Sequence, residues 1–158
     1  MRSSRAACVW LPPVFSSARI SNCFSVSCND TPTDPVLEAE ERWKAAGIHD
    51  YTIDQMRSCF CFRSGEWVRL TVQSDTLRSA VRISDGAPVV RPDLGWYCSV
   101  DSLFGLIRHS AGDSLVVTYD AKYGFPSSLD IDPQLHPVDG GVLYTTANLE
   151  PITLILPR

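Results

Sequence analysis

The sequence predicts an α+β fold in two layers: an antiparallel sheet of about six strands with two helices packed on one face, in the order α-βββ-α-βββ. Three observations carry that expectation. Two segments repeat apolar residues at helical spacing between recognisable caps. Six others alternate apolar and polar residues, as half-buried strands do. The joins between strands are short and rich in Gly, Asp, Ser and Pro.

The first helix starts where Asp34 can cap and Pro35 suits the first helical position, with Glu38, Glu40 and Glu41 near its positive end. Val36, Ala39, Trp43 and Ala46 form its apolar stripe, and Gly47 stops it. A long strand follows, Tyr51 to Cys61. Tyr51 and Ile53 set one phase and Met56 and Phe60 the other, which predicts a bulge or twist near Asp54–Gln55. Val68, Leu70 and Val72 alternate cleanly in the second strand. Ser74–Asp75 is the turn into a third, with Leu77, Val81 and Ile83 inward and Arg78 and Arg82 outward.

A Pro-, Gly- and Asp-rich loop runs from Ser84 to Tyr97. Ser99 then caps the second helix, whose stripe is Val100, Leu103, Phe104, Ile107 and Ala111, with Gly112 as its stop. Leu115, Val117 and Tyr119 mark the fourth strand. Asp120 to Pro126 is a turn, with Gly124 placed for a positive φ. Leu129 and Ile131 carry the fifth strand, and Val142, Tyr144 and Thr146 the sixth. Ile152 to Leu156, between Pro151 and Pro157, reads as a further edge strand.

Charge divides the chain. Residues 1–29 hold Arg2, Arg5 and Arg19 and no acid, leaving 11 of the 14 basic residues against all 18 acidic ones in the remainder. A surface that acidic argues against nucleic acid, which needs clustered Lys and Arg. No run reaches the roughly 18–20 apolar residues of a transmembrane span. Residues 1–33 read as a targeting segment or a disordered tail with a linker, and 34–158 as a single α+β domain. The run Phe24 to Cys28 has the small residues that approach a lipidated cysteine, although Ser25 stands where an aliphatic residue is usual.

Three stretches carry a resemblance. RWKAAGIHDYTIDQMRSCFC (Arg42–Cys61), SVDSLFGLI (Ser99–Ile107) and DSLVVTYDAKYGFPSSLDID (Asp113–Asp132) are similar, in that order, to an uncharacterised family of mostly bacterial, exported or lipid-anchored proteins. Phe125 stands where that family more often has Tyr, and Phe62 where Pro often follows the cysteine pair. The resemblance implies a location outside the cytoplasm, secreted or membrane-anchored, and assigns no reaction.

Cys59 and Cys61 are the sharpest chemical feature, because i and i+2 side chains of a strand share a face. Three pairings stay open: a structural bridge from one of them to Cys98, a local bridge between the two, or a metal held with His49 or His109. His109 also suits a cap on the negative end of the second helix. Asp130 and Asp132, flanked by Asp120 and Asp139, could gather a cation or act as acid and base, but a solvated sheet face with Asp132 opening a turn before Pro133 explains them more simply. No phosphate loop, nucleophile elbow or His-Glu-x-x-His pattern is present, so no catalytic residue, metal or cofactor is assigned. Aromatics near loops suggest a recognition surface made of Trp96 and Tyr97 with the hairpin tip Lys122, Tyr123 and Phe125. The expected function is a non-catalytic, extracytoplasmic module binding a protein, peptide or cell-envelope partner. The alternative is a thiol-redox or metal-binding protein built on Cys59 and Cys61.

Overall fold

A computed structural model describes residues 34–110, 114–134 and 140–153. The expected targeting segment 1–33, Ala111, Gly112, His136, Asp139 and the 154–156 part of the expected edge strand lie outside the described residues. The elements follow the predicted order. Helix α1 (Pro35–Ala46) leads into β1 (Tyr51–Ser58), β2 (Trp67–Gln73) and β3 (Thr76–Arg82). A short 3-10 turn (Asp93–Trp96) precedes α2 (Val100–His109), then β4 (Leu115–Tyr119), β5 (Pro126–Ile131) and β6 (Val142–Pro151). All neighbouring strands are antiparallel, in the order β3-β2-β1-β6-β5-β4. The chain thus builds one half of the sheet outward from β1, crosses through α2 to the far edge, and returns inward to pair β6 with β1.

The helix ends form as their sequences dictate. Asp34 accepts from the Val36 N–H at 3.0 Å, and Gly47 closes α1 in the left-handed region at φ 60°. Ser99 accepts from the Ser102 N–H at 3.3 Å to start α2. Ala39 and Trp43 of α1 and Val100, Leu103, Phe104 and Ile107 of α2 are buried. Ala46, expected in the α1 stripe, is exposed. Both helices meet the sheet at Tyr51: its ring forms a T-shaped pair with Trp43 at 5.5 Å between centroids, and its hydroxyl accepts from the Val100 N–H at 2.9 Å. They therefore lie on one face, with Ile53, Val68, Leu70, Val72, Leu129 and Tyr144 beneath them.

Two expectations about strand phase are corrected. β1 contains no bulge; it stays in register with β2 from Tyr51–Val72 to Met56–Trp67. Its alternation looks broken because the next core-facing residue is polar. Gln55 is fully buried, donating to the Cys98 carbonyl at 3.0 Å and accepting from the Cys98 N–H at 2.9 Å. The irregularity falls in the β1–β6 pairing between Thr52 and Asp54, and the extra residue belongs to β6, where Asn148 takes φ 52°. In β3 the register shifts opposite Thr71–Val72, so Arg78 is the surplus residue. Beyond it the phase inverts: Ala80 is buried, while Val81 and Ile83, expected inside, are exposed. Arg82, expected outward, stands opposite core residue Val68 and reaches Asp85 at 2.7 Å and Glu66 at 3.5 Å.

On the helix-free face, Asp54 sits directly across from Arg69 and is only 3% exposed. Arg69 donates to both of its oxygens, at 2.7 and 2.9 Å, and Asn148 adds a third bond at 2.9 Å from the β6 bulge. The Arg69 guanidinium, with help from Asn148, holds the Asp54 carboxyl below the usual carboxylate range despite burial.

Candidate functional site

β1 ends at Ser58, short of the expected Cys61, and residues 59–66 form the connection to β2. The turn begins with a close reversal: the Cys61 N–H donates to the Cys59 carbonyl at 2.8 Å, leaving Phe60 at its apex. Cys59 and Cys61 are joined as a disulfide across that apex, with their Cα atoms 5.2 Å apart. The Cys59 N–H is held by the Ser64 hydroxyl at 3.0 Å, and the Gly65 N–H by the Arg57 carbonyl at 2.9 Å. Arg63 pairs with Glu66 and with Asp93, each at 3.4 Å, which ties the loop to the segment before α2.

Of the three pairings left open, the local bridge is the one formed, and the bridge to Cys98 is not. Gln55 anchors Cys98 beside the middle of β1. Cys59 lies four residues further along, about 13 Å at the strand rise, and disulfide Cα atoms cannot sit beyond about 7 Å. Cys98 is free and partly buried. Burial raises its thiol above the ordinary range, opposed by a hydrogen bond with Tyr144 and the charge of Arg57. The metal reading gains no support from geometry. His49 precedes β1, a strand length of about 23 Å from the cysteines, and bonds Asp75 at 2.9 Å. His109 Nδ1 donates to the Gly105 carbonyl at 2.7 Å, the expected capping role. Among the described residues no group of three or more His, Cys, Asp or Glu side chains is placed to hold a metal. Asp120 accepts from the Lys122 and Tyr123 N–H groups in the β4–β5 turn, and Asp132 accepts from the Ser114 N–H across the open end of the same strand pair.

The aromatic surface expected from sequence is not assembled. Tyr97 is buried and Trp96 packs partly against the core. The loop that carries them borders Leu77 of β3, whereas the Lys122–Phe125 tip joins β4 to β5 at the other edge of the sheet. Phe125 is only 5% exposed. Gly124 explains why: at φ 80° it lies so close to the Ala39 carbonyl of α1 that a Cβ there would collide with it. The tip therefore folds onto the helix. Lys122 is exposed and lies over the Tyr123 ring at 4.5 Å.

The exposed aromatics lie elsewhere. Phe60 and Phe62 are 75% and 73% exposed, the only rings among the exposed large apolar side chains of the described residues. With Cys59, Cys61 and Ser64 they line one open hollow. Arg63 lies over the Phe62 ring at 5.3 Å. Behind the loop, Arg57 donates from Nη1 to the Cys61 sulfur at 3.4 Å. Arg57 takes part in no ion pair among the described residues, and its buried Nε has no hydrogen-bond partner among them. Sequence reasoning missed Phe60, Phe62 and Arg57. One signal was available: a single residue held between two bonded cysteines has nowhere inside the ring to go.

Residues 36–151 match a family described as of unknown function, DUF6174. The chain belongs to that family. The span matched as DUF6174 runs from the first turn of α1 to the last residue of β6, so it takes in both helices, all six strands and the disulfide loop. No curated protein and no solved structure matches the chain. No helix among the described residues is long and apolar enough to cross a membrane.

Proposed function

We propose that this DUF6174 domain is an interaction module working outside the cytoplasm, and that its contact surface is the β1–β2 loop. The observation that carries this reading is the exposure of Phe60 and Phe62 on a loop closed by a disulfide and fixed by Ser64, Gly65 and Arg63. Single exposed apolar residues are ordinary on protein surfaces. Two rings two residues apart on a cross-linked turn are a different case, because most of the entropy lost on binding has already been lost on folding. The partner is an apolar peptide segment of another protein, whose side chains fill the hollow between the rings. An exposed disulfide persists in an oxidising compartment, which supports the extracytoplasmic location.

Panning a random-peptide phage library on the oxidised protein tests this. Peptides rich in aromatic and aliphatic residues are expected, and Phe60→Ser or Phe62→Ser should weaken them at least about tenfold, as loss of a central aromatic anchor does. Peptides that bind the doubly substituted protein as well as the original would remove the loop from the interface.

A further inference from the structure

We propose that Cys59 and Cys61 form a thiol–disulfide exchange site for a dithiol carried by a partner protein, with Arg57 as a positioning residue that receives the leaving thiolate. Only the identity of the partner rests on the interaction reading above. The chemistry rests on three separate observations.

The first is accessibility. Cys61 is exposed and Cys59 partly so, and both line an open hollow rather than the core. The second is locality. The bridge spans one intervening residue, so opening it frees two thiols on one turn without separating any strands. The third is charge. Arg57 presents Nη1 to the Cys61 sulfur at 3.4 Å and makes no ion pair among the described residues. The other charged groups of the loop are accounted for, since Arg63 is bound to Glu66 and Asp93. Arg57 also bonds the Tyr144 side chain and faces the Cys98 thiol, and it is the cation in contact with the Cys61 sulfur, placed to stabilise a thiolate, which departs faster the lower its pKa.

The exchange balances as follows. A partner thiolate attacks the Cys59 sulfur, forming a mixed disulfide as the Cys59–Cys61 bond breaks. The electron pair leaves on the Cys61 sulfur, beside the guanidinium. The partner's second thiol, deprotonated by solvent, attacks its own sulfur in the mixed disulfide. That step closes the partner's disulfide and expels Cys59 as a thiolate, which takes a proton from water. Two electrons pass from the dithiol to this protein. A more oxidising disulfide returns them by the same steps in reverse. Phe60 and Phe62 flank the attacked bond, so apolar residues beside the partner's cysteines fit the hollow.

The test uses the full-length oxidised protein and dithiothreitol, with Cys59 and Cys61 read separately by differential alkylation and peptide mass. In the reduced protein, Cys61 alkylation should titrate about one pH unit below the ordinary thiol value of about 8.5. Arg57→Gln should slow reduction roughly three- to tenfold and return the Cys61 profile to that value, while Arg57→Lys retains most of both effects. If Arg57→Gln does not fold, the profile of the unsubstituted protein and the Arg57→Lys rate decide. A Cys61 thiol titrating at or above about 8.5, or a rate indifferent to the charge at position 57, overturns the proposal. Dithiothreitol has no side chains to dock, so its rate reads the exchange chemistry alone, whereas peptide capture by the oxidised protein reads the interaction surface. The failure of this inference is therefore distinct from failure of the interaction reading.

Discussion

Removing both cysteines of the loop, as Cys59→Ser/Cys61→Ser, should leave the fold nearly intact, and the structure sets the magnitude. A disulfide stabilises chiefly by restricting the unfolded chain, and the effect grows with the loop it closes. The observed bridge encloses only three residues, Cys59 to Cys61. The chain-entropy relation then gives about 1.6 kcal/mol at 25 °C, whereas a Cys59–Cys98 bridge enclosing roughly 40 residues would give about 3.9 kcal/mol. The smaller figure is an upper bound in practice, because Ser64 and Gly65 hold the turn without the sulfurs. Urea unfolding followed by tryptophan fluorescence makes the comparison. With a slope near 1.5 kcal/mol per molar, the midpoint should fall by about 1 M or less, against about 2.6 M for a bridge between distant elements. A loss near 4 kcal/mol, or a chain that no longer unfolds cooperatively, would refute both the entropy argument and the local pairing. A small loss would mean that this bridge contributes little as a staple.

Other positions give independent checks. Gly124→Ala should cost about 2 kcal/mol or more in the same assay, because the new Cβ meets the Ala39 carbonyl at a positive φ. An unchanged midpoint would mean that the β4–β5 tip does not rest on α1. Gln55→Leu strands the N–H and carbonyl of Cys98 without their partner and should cost about 2–4 kcal/mol. It should also speed hydrogen exchange at the Cys98 amide selectively. Asp54 predicts an acid dependence whose sign follows from Arg69. The folded carboxyl lies below its unfolded value near 3.9, so its stabilisation is present above that pH and fades as pH falls through the lower folded value. Asp54→Asn should therefore flatten the loss of stability below about pH 4, and an unchanged acid profile would count against the pairing with Arg69.

How much of this was legible depended on the range over which each feature is decided. Asp34, Pro35 and Gly47 bound the first helix and Ser99 starts the second, because caps act within one turn of backbone. Alternation placed the strands, the Ser74–Asp75 turn formed where expected with both residues at positive φ, and the two apolar stripes implied a sheet covered on one side. Alternation failed where a core position was filled by a polar group with a distant partner, as at Gln55, whose bonds go to Cys98. It failed again at Arg78, where one surplus residue inverted every later side chain of β3.

The chemistry divides along the same line. The sequence alone determined that two cysteines one residue apart stand at the end of a strand, that the chain is acidic beyond its first 29 residues, and that its helix and strand order suits an α+β sheet. Which sulfur meets which was decided by tertiary structure, through the Gln55 bonds that keep Cys98 at mid-strand. So was the burial of Phe125, in a tip that meets α1 through the close approach at Gly124. The exposure of Phe60 and Phe62 and the placement of Arg57 against Cys61 were decided there too. Caps and periodicity depend on neighbours within a few residues. Burial, pairing and the company of a charge depend on segments far apart in the chain that meet only when the sheet closes between β1 and β6.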